Sequence, residues 1–334
     1  MRLLVSILLT FFPSFIENKL RKLLLNQIIG KGSKIGFFAI LNAKNVEIGS
    51  NSSIKSLSFI SGESLEIGDY CTIKSFSFLS TRVIKIANYV HIANFAFLNG
   101  PNIESSKIVI GNHSRIFPFC WLDTNQGITI GNNVGIGGFS LIFTHGVWAN
   151  YFKGGPVTFK EVVIEDNVWL PWRVFVMPGV TIGKGSIIGA NSLVNKNIAE
   201  NSLAAGSPAK TLKEDFIKQP TSWEVNEKLN EAITDFYNHM VFRNKIASYK
   251  KVDAFNYSSE LFNIKIDCLV DNNLKQNQLL VILTDDLFKN KSYNGFVWEM
   301  KTDTLFYSSN NYFVNEFSDF IRRYGVRLTK IKIE

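Results

Sequence analysis

The sequence predicts a mainly β chain built on a parallel β-helix, a triangular prism of short strands wound in six-residue steps. Three observations predict it. Aliphatic residues fall on every sixth position at Ile164, Leu170, Val176, Ile182, Ile188 and Val194, and upstream at Ile48, Ile54, Ile60, Ile67, Ile73, Leu79, Ile86, Ile92 and Leu98. A period of six fits neither a helix (3.6) nor a lone alternating strand (2), whereas fixed-period repeats mark a solenoid. The triplets headed by Ile48, Ile67, Ile86, Ile110 and Ile130 are offset by 19, 19, 24 and 20 residues, that is, by whole coils with small corner insertions. The aliphatic residue of each step should point inward and stack on its equivalents above and below. The glycine that often follows it, as in Ile67-Gly68, is expected to supply unusual backbone angles at a corner.

The elements follow in order. Residues 1–28 are apolar from Leu3 to Ile16, and then interleave Glu17, Lys19, Arg21 and Lys22 with leucines. The fourteen residues of this stretch fall short of the roughly 20 needed to span a bilayer. A helical cap on the open end of the prism, a helix lying on a membrane surface, and a signal segment are all compatible with this stretch; the first two are also compatible with each other. The repeat occupies residues 29–213. It is broken by a long excursion at 143–161, and such departures from a regular scaffold are where function usually sits. Residues 214–334 lose the period of six. Val225, Leu229, Ile233, Phe236 and Met240 recur at helical spacing there, followed by strand-like stretches at 261–269, 279–283, 295–300 and 304–307, a helical one at 312–324 and a last strand at 326–333. This reads as a small α+β domain.

The net charge of +8 comes from 36 Lys and Arg against 28 Asp and Glu, and the lysines are scattered instead of forming the stripe that nucleic acid requires. Cys71, Cys120 and Cys268 lie far apart, with no CxxC or Cys/His cluster, so no metal is expected and a reducing cytoplasm suits the chain. Asp285-Asp286 reads as an exposed turn. Of the four histidines, His91 and His113 fall within coils and His239 on the helical stretch, whereas His145 opens the excursion. A neutral imidazole is the side chain best suited to remove a proton from an alcohol near pH 7.

The hexads, the Thr144-His145 excursion, Val168-Trp169, Pro178-Gly179-Val180-Thr181-Ile182-Gly183 and Ala205-Gly206-Ser207-Pro208-Ala209-Lys210 together resemble the hexapeptide-repeat acyltransferase family. Within it, the chain resembles bacterial sugar O-acetyltransferases that modify surface polysaccharides. The resemblance covers residues 29–213 and implies a left-handed β-helix, a homotrimer with active sites in clefts between prisms, and acetyl-CoA as donor. It implies His145 as general base and Trp169, Trp172, Ala190, Asn195, Lys196 and Lys213 as coenzyme contacts. Two departures stand out. Leu170-Pro171-Trp172 replaces a smaller segment, leaving the Trp172 amide as the oxyanion donor, since proline has no N–H. No asparagine lies at Arg115–Pro118, where the family often has one before the histidine, so Asp123 becomes the candidate for orienting the acceptor or His145. Trp148 and Tyr151 of the excursion are further acceptor candidates.

The expected activity is acetyl transfer to a hydroxyl of a capsule, O-antigen or similar glycan, or of its activated-sugar precursor. N-acylation of an amino sugar and a non-catalytic scaffold are the rival readings. The expected location is the cytoplasm, on the inner face of the cytoplasmic membrane if residues 1–28 bind it.

Overall fold

The structure, a computed structural model, describes residues 2–147, 149–253, 256–259, 263–267, 278–282, 296–307 and 312–332. The chain divides into two compact units, Met1–Lys218 and Gln219–Glu334. In the first, short parallel strands stack coil upon coil to form a three-faced prism. The first face includes Val83–Ile86, Lys107–Ile110, Ile128–Ile130, Val162–Ile164 and Thr181–Ile182. The second runs from Lys34–Ile35 through Arg115–Ile116, Gly135–Ile136 and Trp169–Leu170 to Leu203–Gly206 and Ala209–Lys213. The third includes Phe78–Ser80, Phe97–Asn99, Trp121–Asp123, Leu141–Phe143, Phe175–Val176 and Leu193–Val194. Two longer strands, Ile40–Ile48 and Phe59–Ile67, turn the edge between the third and first faces without a break.

Each hexad aliphatic is buried, and together they form one continuous core from Ile35 to Ala204. A burial this complete follows from the register: Leu41, Ile60, Leu79, Leu98, Leu122 and Ile142 pair in succession along one column. Inside the corners, hydroxyl and thiol groups donate to carbonyls of the next coil, as in Ser52 Oγ to Gly68 O at 2.7 Å and Ser114 Oγ to Gly131 O at 2.7 Å. Outside them, Asn and Asp carboxamide or carboxylate oxygens accept from amides of the preceding coil. Asn112 Oδ1 takes Asn88 N–H at 3.0 Å, Asn132 Oδ1 takes Asn112 N–H at 2.8 Å and Asp166 Oδ1 takes Asn132 N–H at 2.6 Å. The corners thus satisfy backbone groups that the strands leave unpaired.

The glycines do something other than expected. Gly68, Gly111 and Gly131 are not in the left-handed region; the corners with positive φ carry Tyr70 (56°), Tyr89 (60°), His113 (60°) and Asn133 (56°), and at the next edge Phe76, Phe95, Phe119 and Phe139 (58–62°). The glycines are required by close approach instead. A Cβ at Gly111 would lie 2.5 Å from Gly131 C and 2.7 Å from Asn132 N, which are backbone atoms with nowhere to move. The aromatic corner residues stack on one another, with centroids 5.0 Å apart for Tyr70–Tyr89, 5.1 Å for Phe95–Phe119 and 4.9 Å for Phe119–Phe139. Stacking of about 0.5–1.5 kcal/mol per pair is comparable to the left-handed backbone cost of about 1–2 kcal/mol per residue.

Residues 1–28 form two helices, α1 (Arg2–Leu9) and α2 (Ser14–Leu25), that close the open end of the prism. Several of their polar side chains face inward, while Lys19 and Lys22 are exposed. Ser6 Oγ donates to Leu41 O at 2.8 Å, Ser14 Oγ to Ile35 O at 2.6 Å and Asn18 Nδ2 to Ser33 O at 2.9 Å, which satisfies carbonyls at the first coil. Arg21 Nε donates to Glu17 Oε1 at 2.8 Å in a fully buried ion pair, and burial pushes the Glu17 carboxyl above its ordinary range despite the attraction of Arg21.

The second unit is a seven-stranded mixed sheet, Tyr249–Lys251 to Thr329–Lys332, with α3 (Ser222–Phe242) and α4 (Tyr312–Ile321). Phe236, Tyr237, Met240, Trp298, Phe313 and Phe317 build its core. Thr221 and Glu224 form a reciprocal capping box at the start of α3. The flanks of the expected strands at 261–262, 268–269, 283, 295 and 333, together with Asp285-Asp286 and Cys268, lie outside the described residues.

Gly111→Ala is expected to destabilise the β-helix by about 1–3 kcal/mol through overpacking. Asn133→Gly, at a positive-φ corner, should change stability by less than about 1 kcal/mol; urea unfolding of the two variants checks the contrast. Arg21→Met alone should cost about 3–5 kcal/mol by stranding a buried carboxylate, while the pair Glu17→Leu and Arg21→Met should come out near neutral. Hydrogen exchange of the α1–α2 amides reads that difference locally.

Candidate active site

The excursion leaves the prism at the edge between the third and first faces, and its two limbs pair as a β-hairpin. His145–Val147 pairs antiparallel with Val157–Phe159, placing His145 opposite Phe159, whose ring lies parallel to the imidazole at 5.9 Å. A short 3-10 turn, Tyr151–Lys153, sits within it, with the Asn150 side chain accepting from Phe152 N–H. Thr144 fixes the base of the hairpin. Its side chain is fully buried, its Oγ1 donates to Asp123 O at 2.9 Å, and it accepts Gln126 N–H at 2.9 Å.

Asp123 ends the strand Trp121–Asp123, one coil before His145. Its Oδ2 lies 2.5 Å from His145 Nδ1 and also receives Thr144 N–H at 3.3 Å. The carboxylate side chain is 9% exposed and the imidazole 40%. A carboxylate only accepts, so Nδ1 carries the hydrogen and the Nε2 lone pair is left to take a proton from a bound molecule. Among the described residues, Asp123 is the carboxylate that contacts the His145 ring.

The expected coenzyme residues fall on two different edges. Trp172 lies at the edge between the second and third faces, where its indole is 5.9 Å from Phe139 and a Cβ on Gly138 would strike it. Ala190 sits one coil further along the same edge, next to Asn191, whose N–H donates to Trp172 O. Trp169 shares the adjoining second face with Lys213, through the succession Trp169, Ile187, Leu203, Lys213. Trp169 and Trp172 are each about half exposed, and Ala190 and Lys213 are exposed.

Asn195 and Lys196, by contrast, follow Val194 as Phe143 and Thr144 follow Ile142, which puts them on the His145 edge. A strand of about five residues separates the two edges, on the order of 15 Å. The expected oxyanion donor, the Trp172 amide, is thus not beside His145 within one chain. Tyr151 is exposed at the hairpin turn, and Trp148 lies outside the described residues.

Sequence reasoning missed a second feature of the His145 edge. Asn42, Ser61, Ser80, Asn99 and Asp123 pair in register to form a polar column that ends at the Asp123–His145 pair. Trp121, 44% exposed, stands edge-on to Phe97 and Phe143 and donates its indole N–H to Asn99 Oδ1 at 2.8 Å. Lower on this edge, an open cavity of about 430 Å³ is lined by Asn42, Ser61, Ser80, Arg82 and Gly100 among others. The signal was a polar residue recurring two positions after an aromatic one in successive coils, as in Phe59-Ser61, Phe78-Ser80, Phe97-Asn99 and Trp121-Asp123.

The two described cysteines, Cys71 and Cys120, lie in the inner corners of the prism. Cys120 is buried, donates to Gly137 O in the inner corner ladder, and burial pushes its thiol up to about 12; Cys71 is likewise buried and pushed up to about 11. Neither supplies a thiolate near neutral pH. Among the described residues, no group of three or more His, Cys, Asp or Glu side chains could hold a metal ion.

Comparison with known proteins agrees with this architecture. Residues 161–196 match the family model described as bacterial transferase hexapeptide (six repeats). A putative acetyltransferase of Schizosaccharomyces pombe is 46% identical over 88 residues, 26% of this chain and 42% of the yeast protein. The galactoside O-acetyltransferase of Lactococcus lactis is 34% identical over 137 residues, 41% of this chain and 51% of that enzyme. That of Escherichia coli is 42% identical over 89 residues, covering 26% and 44%. The chain thus spans about half, or less, of the length of these relatives. Its prism carries the hexapeptide repeat of bacterial transferases and resembles the sugar O-acetyltransferases that share it.

Proposed function

We propose that this protein is an acetyl-CoA-dependent O-acetyltransferase acting on a hydroxyl group of a surface glycan or of its activated-sugar precursor, and that it works as a homotrimer. The Asp123–His145 pair carries the reading: a buried carboxylate holds a half-exposed imidazole in the tautomer that accepts a proton. A scaffold has no need of such a pair, and the relatives named above are acetyltransferases, two of them galactoside O-acetyltransferases.

Acetyl-CoA supplies the electrophilic thioester carbon. His145 Nε2 takes the proton of the acceptor hydroxyl as its oxygen bonds to that carbon. The carbon–sulfur bond then breaks, and the imidazolium returns the proton to the departing thiolate. Asp123 stabilises the imidazolium while it is charged. Trp172 N–H is the proposed donor to the developing oxyanion. No acyl-enzyme is formed, in keeping with the protonated, buried state of both described cysteines. The acceptor is placed on the polar column, with Trp121 beside the reacting sugar.

The split of the coenzyme residues between two edges supports the trimer. Trp169, Trp172, Ala190 and Lys213 of one prism would face His145 of its neighbour across a cleft, with Asn195 and Lys196 on the His145 side. The exposed indoles and the small Ala190 suit the pantetheine arm, and Lys213 suits a phosphate.

His145→Ala should lower kcat by roughly 10²–10⁴-fold, and Asp123→Asn by at least roughly tenfold through loss of the correct tautomer. Both should leave KM for acetyl-CoA nearly unchanged. Steady-state kinetics on purified variants of unchanged oligomeric size checks this, and unaltered turnover would remove His145 from the chemistry. The product should be an alkali-labile ester; an alkali-stable amide would point to an amino sugar acceptor instead.

Co-expression of His145→Ala with Trp172→Glu should restore up to about a quarter of wild-type activity, the share of head-to-tail interfaces that unite two intact edges in a random mixture. A mixture as inactive as its components would place the whole site within one chain.

A further inference from the structure

The N-terminal helices are amphipathic the wrong way round for a surface pair. Their inward face carries Ser6, Thr10, Glu17 and Arg21, all buried. Their outward face carries Leu4 (66% exposed), Leu8 (64%), Phe11 (62%), Phe15 (70%), Leu23 (79%) and Leu24 (57%). The inversion has a cause, because the first coil presents carbonyls that only polar side chains can satisfy. Turning those side chains inward leaves most of the large apolar ones facing out, although Leu9 and Leu25 are buried. A contiguous apolar patch rimmed by polar groups marks an interaction site.

We propose that the α1–α2 hairpin is an in-plane anchor that docks this protein on the surface of an anionic lipid bilayer. Charge selects that occupant. Among residues 1–46, Glu17 is the single acidic residue, against Arg2, Lys19, Arg21, Lys22, Lys31, Lys34 and Lys44. Glu17 is buried against Arg21, so it leaves no negative charge on the outer face. Lys19 and Lys22 are exposed and share one stripe of α2 with Phe15 and Leu23. Self-association through this face would set lysines against lysines with no acid to pair them. Anionic headgroups neutralise the same lysines, while the leucine and phenylalanine side chains enter the acyl boundary.

Length fixes the mode of binding. At 8 and 12 residues, the helices measure about 12 Å and 18 Å against a hydrocarbon core of about 30 Å. No helix among the described residues is long and apolar enough to cross a membrane. The hairpin therefore lies on the bilayer and does not enter it end-on. Five coil steps, from Leu41 to Ile142, separate its seat from the His145 coil, roughly 24 Å at the strand spacing. The anchor is independent of the chemistry at His145.

The full chain is mixed with phosphatidylglycerol–phosphatidylcholine vesicles and, separately, with phosphatidylcholine vesicles, and binding is read by flotation. Strong binding is expected to the first and little to the second, with a several-fold loss at about 1 M salt, where the screening length falls to about 3 Å. The double variant Phe15→Ser and Leu23→Ser should bind at least roughly tenfold more weakly. So should Lys19→Glu with Lys22→Glu, at unchanged oligomeric size and circular dichroism. Absence of binding to the anionic vesicles, or equal binding by the serine variant, overturns the proposal. So does a wild-type assembly, formed without lipid, that the serine variant splits into smaller ones, because the face would then be a contact between copies.

Discussion

Everything in the first unit depends on one constraint: each residue sits a single strand spacing, roughly 4.8 Å, from its equivalent in the next coil. Whatever side chain occupies a position must therefore tolerate a similar neighbour above and below. The inner columns accept branched aliphatics, and the inner corners accept serine or cysteine, whose short groups reach the next carbonyl. The outer corners accept asparagine, which can receive an amide from below, or an aromatic ring, which can stack. Glycine is admitted where a backbone from the next coil comes within 3 Å of the space for a Cβ, as at Gly111 and Gly137. Cys120 belongs to this logic and not to catalysis, since it fills a place in the ladder that Ser77 and Ser140 fill in other coils.

The same constraint creates the problem at the end of the prism. Stacking satisfies each coil by the next, so the first coil has one unsatisfied side. The chain covers it with α1 and α2, and the covering groups must be polar because what they meet is backbone carbonyl. The buried Glu17–Arg21 pair fills the remaining space between the helices and, being buried, contributes little or nothing net to stability. Burying the pair takes both Glu17 and Arg21 off the outer face, which leaves Lys19 and Lys22 as the exposed charges of α2.

The period of six made the prism legible before any coordinates, down to the aliphatic column and the position of the excursion. Residues 1–28 were legible as apolar and basic, but which side chains faced inward was not, because that depends on the carbonyls of a coil fifteen to thirty-five residues away. His145 was found by its place at the head of the excursion. Its pairing with Asp123, 22 residues upstream, was suspected but not derivable, since three faces and one corner insertion intervene and each could have shifted the register. The glycines were misread because Ile-Gly steps look like turns in one dimension; the close approach that requires them exists only between coils. The separation of Trp172 from Lys196 was invisible for the same reason: 24 residues mean more than a full turn of the prism and a different edge.

That separation is also the deepest functional consequence of the fold. A prism is rigid, and its edges cannot move toward each other, so a donor held near Trp172 and a base held by Asp123 meet only if a second prism brings its other edge alongside. In the proposed trimer, prisms would pair unlike edges head to tail, so that three such contacts close a ring. The polar column runs down the same edge as His145, on the outside of the coils, where the proposed acceptor would meet Asn99, Ser80 and Ser61 at the strand spacing. The ladder that holds the protein together therefore also sets evenly spaced polar groups along the edge that ends at the Asp123–His145 pair, the edge on which the proposed acceptor would lie.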